Sequence, residues 1–178
     1  MVSDSITIGF LGAGKMATAL AKGWLTAGLV TPDRLWGSDP MPQARAAFHQ
    51  ETGVAALYDN RAVVGKSDIL VLAVKPQNMP ALLAEIRPAV NSTHLVVSIA
   101  AGVTLQQLAD GLGSDCRLIR VMPNTPCLVG ASASAYAPAA SAREQDIRLV
   151  EKLLNVVGRA FPLPPGRRAP SRDPRQEW

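Results

Sequence analysis

A glycine-rich turn between an apolar strand and a helix is the feature that most constrains this chain. Residues 6–11 are mostly β-forming, and Gly12-x-Gly14-x-x-Ala17 follows directly, before a helical apolar pattern over 15–27. Gly12 permits a sharp turn, Gly14 lets an anion approach the backbone, and the small Ala17 lets helix and strand pack closely. Because the free N–H groups of a helix N-terminus attract anions, this order predicts a phosphate-binding turn. The alternative is an ordinary βα turn without a ligand.

Strand and helix patterns alternate along the rest of the chain. Apolar runs predict strands at 35–38, 54–57, 68–74, 95–99, 117–122, 131–137 and 159–163. Helical patterns are predicted at 42–51, 59–64, 82–87, 104–112 and 142–156, and residues 31–33 are predicted as a loop. This alternation predicts an α/β, Rossmann-type fold over residues 1–163, with an open, mostly parallel sheet and helices on both faces.

The turns after the predicted strands carry the residues of interest. They are Gly12, Ser38-Asp39, residues 73–76, residues 100–102 and residues 122–125. Because ligands bind outside the carboxyl ends of parallel strands, these turns are expected to gather on one ligand-binding rim. Asp39 lies 25 positions after Gly14, near where a dinucleotide fold places an acidic residue for the adenosine ribose. The alternative is a cap for the helix that opens at Pro42, and one Asp could serve both roles.

Composition and charge argue against several classes of protein. Only 4% of residues are aromatic and 48% are hydrophobic, which suits a buried parallel sheet. No apolar run approaches the roughly 18 residues of a spanning helix, and no signal peptide is recognised, so no membrane association is expected. The net charge is +4, without a basic stripe interleaved with aromatics, so nucleic-acid binding is not expected. Cys116 and Cys127 lack a framework spacing, which predicts reduced thiols in a cytoplasmic protein.

Five motifs follow one another in a specific order and spacing. They are Ile8-Gly9-Phe10-Leu11-Gly12-Ala13-Gly14-x-Met16-Ala17, Ser38-Asp39-Pro40, Leu72-Ala73-Val74-Lys75-Pro76-Gln77, Ser98-Ile99-Ala100-Ala101-Gly102 and Ile119-Arg120-Val121-Met122-Pro123-Asn124-Thr125-Pro126. Together they resemble the pyrroline-5-carboxylate reductase family, over roughly residues 6–163. The resemblance implies an enzyme that uses NADP(H) or NAD(H) to reduce 1-pyrroline-5-carboxylate to L-proline, the last step of proline biosynthesis.

The resemblance also implies where the ligands lie. The implied cofactor-binding residues are Leu11, Gly12, Ala13, Gly14, Lys15, Met16, Ser38, Asp39, Asn60, Ala73, Val74, Lys75, Pro76, Ile99, Ala100 and Ala101. Asn124 and Thr125 would lie near the nicotinamide and the substrate. No metal is implied, and the catalytic residue is not identified.

Two questions stay open at this level. Lys75 could donate the proton that the imine nitrogen takes up, although we favour a backbone role with its side chain on phosphate or in solvent. Asp39 favours a free 2′-hydroxyl and hence NAD(H), whereas Ser38 and Asn60 tolerate a 2′-phosphate. No arginine directly follows Asp39 to bind such a phosphate.

The last fifteen residues depart from the family. Residues 164–178 contain four prolines and four arginines, which predicts a disordered tail rather than a packed element. Family members continue here with a helical domain that forms the dimer surface and much of the substrate site. The expectation is therefore a truncated or frameshifted chain that lacks that dimer surface. Alternative functions are a non-catalytic NAD(P)-binding module and another dehydrogenase of the same fold, against which residues 122–126 argue.

Overall fold

The computed structural model describes residues 6–113, 116–124 and 132–163. Its strands are β1 (Ile8–Leu11), β2 (Leu35–Ser38), β3 (Ala56–Leu57), β4 (Ile69–Leu72), β5 (Leu95–Ser98), β6 (Arg117–Met122), β7 (Ser132–Pro138) and β8 (Gly158–Pro162). Its helices are α1 (Lys15–Thr26), α2 (Pro42–Thr52), α3 (Asn60–Val64), α4 (Met79–Ile86), α5 (Leu105–Leu112) and α6 (Glu144–Val156). Thr125, Cys127 and the predicted tail at 164–178 lie outside the described residues.

The strands form one sheet in the order β3-β2-β1-β4-β5-β6-β7-β8. The strands from β3 to β6 pair in parallel, β7 runs antiparallel to β6, and β8 is parallel to β7. Chain order reverses between β1 and β4, and this switch point is where open α/β sheets bind ligands. The predicted Rossmann-type, mostly parallel α/β sheet is confirmed.

Alternate side chains of the strands supply two apolar layers, one on each face of the sheet. On the first face, Phe10 of β1 stacks on Trp24 of α1 at 5.3 Å and lies 6.0 Å from Phe48 of α2. The indole N–H of Trp24 donates to the carbonyl of Leu153, which joins α6 to the same layer (2.9 Å). Helices α1, α2 and α6 therefore cover this face.

The second face is covered by α3, α4 and α5. Leu11 and Leu70 of the strands pack there with Val63 of α3, Leu83 of α4 and Leu108 of α5, all of them buried. Helices thus lie on both faces, as the alternating pattern predicts. Among the helices of the described ranges, none has both the length and the apolar composition needed to cross a membrane.

Some element ends differ from the sequence prediction. The apolar run 68–74 predicts a longer strand, but β4 ends at Leu72 because Ala73 and Val74 already belong to the turn beside β1. The strand predicted at 54–57 begins at Ala56, and the predicted loop contains a short 3-10 turn at Pro32–Arg34. Apolar character alone does not distinguish a strand end from a buried turn.

Tyr136 of β7 gives the fold a testable pH dependence. Its side chain is buried, and burial together with the nearby Glu151 carboxylate raises the pKa of the phenol. The folded state therefore holds this proton more tightly, so stability falls as the pH rises above the ordinary tyrosine pKa of about 10. Urea unfolding at about pH 8 and about pH 11 should show a smaller drop for Tyr136→Phe than for the parent chain. Equal drops would show that another group is responsible.

Candidate functional site

Four parallel strands end level with one another at one edge of the sheet. Leu11 is in register with Ser38 on one side and Leu72 on the other, and Leu72 is in register with Ser98. The pairing continues into the first turn, where the Gly12 N–H donates to the carbonyl of Ser38 at 2.8 Å. The turns that follow these strands therefore lie side by side on one rim.

Gly12 is required by the fold. Its φ of +101° is a conformation that residues with a side chain rarely adopt. A Cβ at this position would lie 2.8 Å from the backbone carbon and oxygen of Ala73 and 3.0 Å from the Val74 nitrogen. Because both neighbours are backbone groups of the turn after β4, they cannot move aside without disturbing the sheet. Gly12 thus lets two turns of the rim meet.

Gly14 is in a different situation. It is the N-cap of α1, with φ −79° and ψ −177°, a backbone conformation that any residue adopts. A Cβ here would meet no heavy atom within 4 Å. Neither the backbone conformation nor the packing requires a glycine here, and its missing side chain leaves space in front of the N-terminus of α1. The first turn, residues 15–18, contains no acidic residue, so this end of the helix attracts an anion.

Asp39 holds the glycine-rich turn in place. One carboxylate oxygen accepts from the Ala13 N–H at 3.0 Å, and the other accepts from the Met41 N–H at 2.9 Å. The alternative role of Asp39 as the N-cap of the second helix is wrong, because Met41 is the N-cap residue of α2. Asp39 is therefore well placed beside the turn, and two backbone N–H groups already offset its charge.

A polar chain of three side chains runs from β2 to α4. The buried Ser38 hydroxyl donates to Asn60 Oδ1 at 2.7 Å, and Asn60 Nδ2 donates to Glu85 Oε2 at 2.9 Å. Ser38 and Asn60 are thus brought together at the end of β2. Glu85 was not predicted. Helical spacing could have indicated it, since Asn78 and Glu85 of the α4 segment lie on the same side and line the same cleft.

A cleft of about 830 Å³ opens along this rim. It is lined by seven of the predicted residues: Gly12, Gly14, Asp39, Asn60, Ala73, Val74 and Lys75. Gly14 also borders a second depression of about 780 Å³, with Ala13 and Lys15, that runs along α1. Lys75 is exposed and forms no ion pair with the described residues. Each depression has the volume of a small-molecule site.

The sequence analysis missed a cationic and apolar corner beside this cleft. Arg45 of α2 donates through Nη1 to the carbonyl of Asp39 at 2.7 Å and to that of Pro40 at 3.1 Å. Its guanidinium carbon lies 5.8 Å from the ring centre of Tyr58. Tyr58 and Met41 both line the cleft and are 72% and 57% exposed, unusually open for large apolar side chains. The sequence prediction considered only the position directly after Asp39, whereas Arg45 lies six residues after it.

The remaining predicted residues contribute packing or backbone. Leu11 and Ala100 are buried in the second apolar layer, whereas Met16 and Ile99 pack against the first. Their side chains therefore support the rim from below. Pro76 and Ala101 are exposed in the turns after β4 and β5.

The end of β6 is organised by side chains of the last predicted motif. Asn124 is exposed, and its Oδ1 accepts from the Ala133 N–H at 3.0 Å, which links this turn to β7. Arg120 Nη2 contacts the Met122 sulfur at 3.4 Å, and burial lowers the pKa of the Arg120 guanidinium. Asn124 thus has a structural bond, and whether it also approaches a nicotinamide stays a prediction.

The residues that the structure describes contain no group of three or more His, Cys, Asp or Glu side chains that could hold a metal ion. The rim instead offers backbone N–H groups, carboxylates, one guanidinium and open space. This combination suits an organic ligand that carries phosphate and hydroxyl groups.

Comparison with known proteins agrees with this geometry. The family model described as "NADP oxidoreductase coenzyme F420-dependent" matches residues 7–102. Pyrroline-5-carboxylate reductase from Methanosarcina acetivorans is 40% identical over 157 residues, which is 88% of this chain and 58% of the relative. The chain therefore spans little more than half the length of this curated relative.

Solved structures show the same likeness. A pyrroline-5-carboxylate reductase from Coxiella burnetii has a TM-score of 0.85 and 29% identity, covering 91% of this chain and 60% of that one. Plasmodium falciparum pyrroline carboxylate reductase, solved with NADP bound, has a TM-score of 0.81 and 30% identity, covering 90% and 58%. The chain belongs to the family described as NADP oxidoreductase, coenzyme F420-dependent, and over most of its length it is similar to pyrroline-5-carboxylate reductases.

Proposed function

We propose that this chain binds NADH or NADPH along the rim and serves in the reduction of 1-pyrroline-5-carboxylate to L-proline. Residues 1–163 would form one nucleotide-binding domain. The similar reductases, one of them solved with NADP, support the reaction and the cofactor. A cytoplasmic compartment is part of the proposal, supported by the cysteine content of the sequence, which has two cysteines without the spacing of a disulfide framework.

Gly14 is the observation that carries the proposal. Its conformation needs no glycine, yet a side chain there would fill the space before the N-terminus of α1. A cofactor pyrophosphate fits this vacant volume, because backbone N–H groups and the helix dipole favour its charge. The turn from Leu11 to Met16 would hold the pyrophosphate, and Lys15 at the start of the helix adds positive charge.

The adenosine end of the cofactor would lie in the cleft beside Asp39. Asp39 and the Ser38–Asn60 pair supply oxygen and amide groups for ribose hydroxyls, and the turn Ala73–Pro76 closes one side. The rim continues across the sheet to Ile99–Ala101 and then to Asn124, which follow the neighbouring strands β5 and β6. This direction would place the nicotinamide near the last motif.

When bound, a reduced nicotinamide supplies a hydride to the C=N carbon of the cyclic imine, whose nitrogen takes up a proton. The chain's contribution is positional. The closely packed turns at Gly12 and Ala73 would fix the position of the cofactor. The small residues Ala100 and Ala101 would let the cofactor approach the backbone closely. The exposed Lys75 ammonium lies on the cleft and would contact phosphate or solvent, as favoured from the sequence.

A second candidate is an NAD(P)-binding module without turnover. It is favoured by the Asn124 side chain after β6, which is engaged with the backbone of Ala133. Binding and turnover therefore have to be measured separately.

The test uses the purified full chain. Calorimetric titration with NADH and NADPH should show one site per chain, and the absorbance of the reduced nicotinamide should fall when 1-pyrroline-5-carboxylate is added. Binding without oxidation would support the module and reject the reductase. Binding of neither cofactor by a folded chain would reject both candidates.

A further inference from the structure

Arg45 occupies a fixed position beside the proposed ribose site. It is six residues after Asp39, yet its Nη1 reaches back to the carbonyl groups of Asp39 and Pro40 at 2.7 and 3.1 Å. These two bonds fasten the guanidinium to the end of β2. Because an arginine side chain has many rotamers when free, this anchoring removes much of the entropy that binding would otherwise cost.

The guanidinium keeps donors for a ligand. Its hydrogen bonds within the described residues involve only Nη1, and it forms no ion pair with any carboxylate in those ranges. Five N–H donors in a planar fork suit a phosphate group, which accepts two of them side by side. The guanidinium is therefore an anchored cation beside the cleft, and its unused N–H donors can bind a phosphate.

We propose that Arg45 binds the 2′-phosphate of NADPH and so gives this chain affinity for the phosphorylated cofactor. The inference rests on the proposed function, since it assigns one group beside the same cleft. In other dinucleotide folds, an arginine near the position that corresponds to Asp39 binds the 2′-phosphate, and Arg45 would take this role. Here Pro40 occupies that position, and α2 supplies the cation instead.

Acidic groups near the cleft oppose a phosphate, but each has a partner. Asp39 accepts two backbone N–H groups, and Glu85 accepts from Asn60 Nδ2. Asp59 is the N-cap of α3 and accepts from the Arg61 N–H at 2.9 Å. These bonds orient negative charge towards protein donors, whereas the free edge of Arg45 has no such partner among the residues that the structure describes. The balance at the 2′ position therefore depends on Arg45.

Tyr58 completes the corner. It is 72% exposed and its ring centre lies 5.8 Å from the guanidinium carbon, so ring and cation attract each other. Met41, on the loop before α2, is also exposed and lines the cleft. Flat and polarisable surfaces of this kind suit an adenine ring, which would bring its ribose close to Arg45.

The experiment compares two cofactors on three variants. Calorimetric Kd values for NADPH and NADH are measured for the parent chain, Arg45→Gln, Arg45→Lys and the control Arg148→Gln. Arg148 is paired with Glu144 on the surface of α6, so its removal makes the same change in net charge elsewhere. Urea unfolding of each variant shows that the fold is kept.

Arg45→Gln should raise the Kd of NADPH by about tenfold or more and that of NADH by less than about threefold, since a charge-assisted fork is lost only for the phosphate. Arg45→Lys, which keeps the charge without the fork, should lie between, and Arg148→Gln should match the parent. In the parent chain, salt should weaken NADPH binding more than NADH binding. This salt comparison uses only the parent chain, so it can be made even if Arg45→Gln unfolds.

Four outcomes would overturn the inference. Equal losses for both cofactors would make Arg45 a support of the loop, and no loss would remove it from the site. A parent chain that binds NADH but not NADPH would reject the inference and leave the proposed function standing. A folded parent chain that binds neither would reject both.

Discussion

Gly14→Val is expected to raise the Kd of both NADH and NADPH by about 100-fold or more, while the free energy of unfolding changes by less than about 1 kcal/mol. The fold tolerates the side chain because the backbone at Gly14 is extended and a Cβ meets no atom within 4 Å. A pyrophosphate does not tolerate it, because the isopropyl group fills the volume in front of the helix N-terminus. Calorimetric titration and urea unfolding of the same preparation give both numbers.

Gly12→Ala is the matched comparison in the same turn. It adds only one carbon, yet at φ +101° that carbon lies 2.8 Å from the Ala73 backbone. The left-handed backbone alone costs roughly 1–2 kcal/mol, and the contact adds to it, so this variant should lose stability clearly. If Gly14→Val bound the cofactors normally, the turn would not be the phosphate site. If Gly12→Ala were as stable as the parent, the close approach of the two turns would be wrong.

Asp146→Ala is expected to lower the free energy of unfolding by about 3–5 kcal/mol, because it leaves a charged arginine without its partner in the interior. Asp146 Oδ1 contacts Arg117 Nη1 at 2.6 Å, and the two side chains are only 4% and 14% exposed. The other carboxylate oxygen accepts from the Arg143 N–H at the start of α6, at 2.9 Å. One carboxylate thus fastens α6 to β6. The midpoint and slope of urea unfolding measure the loss.

Two further variants test whether the loss of stability comes from the unpaired charge of Arg117. Glu144→Ala, in the same helical turn, removes an exposed partner of Arg148 and should cost less than about 1 kcal/mol. The double variant Arg117→Met, Asp146→Leu should recover much of the stability, since apolar residues of similar volume replace the charges. A loss for Asp146→Ala no larger than that for Glu144→Ala would show that the ion pair does not stabilise the fold.

Much of the fold follows from local sequence patterns. The limits of β2 and β6 agree with the prediction because apolar runs of β-formers are bounded there by turn residues. The helix at Leu105–Leu112 begins where the pattern indicates, since Thr104 and Gln107 form a capping box. Short elements were less predictable: β3 has two residues, and its sequence carries too few side chains to mark its start.

The glycine-rich turn and its place on a rim could also be foreseen. Parallel strands joined by helices bring their carboxyl ends to one edge, whatever the details of packing. The level ends of Leu11, Ser38, Leu72 and Ser98 are the outcome of that rule. The sequence by itself therefore determined the Rossmann-type sheet and the general location of the cleft.

Only the tertiary structure decided which polar groups meet in that cleft. Asp39 bonds to Ala13, Asn60 to Glu85, and Arg45 reaches back to the end of β2. Such partners depend on rotamers and on distances between elements that are far apart in the chain, and no local period encodes these. The same holds for Arg117 and Asp146, whose pairing appears only once α6 has packed against the sheet. The periodicity of the sequence determines on which face of an element a side chain lies, and tertiary packing decides which groups that side chain contacts.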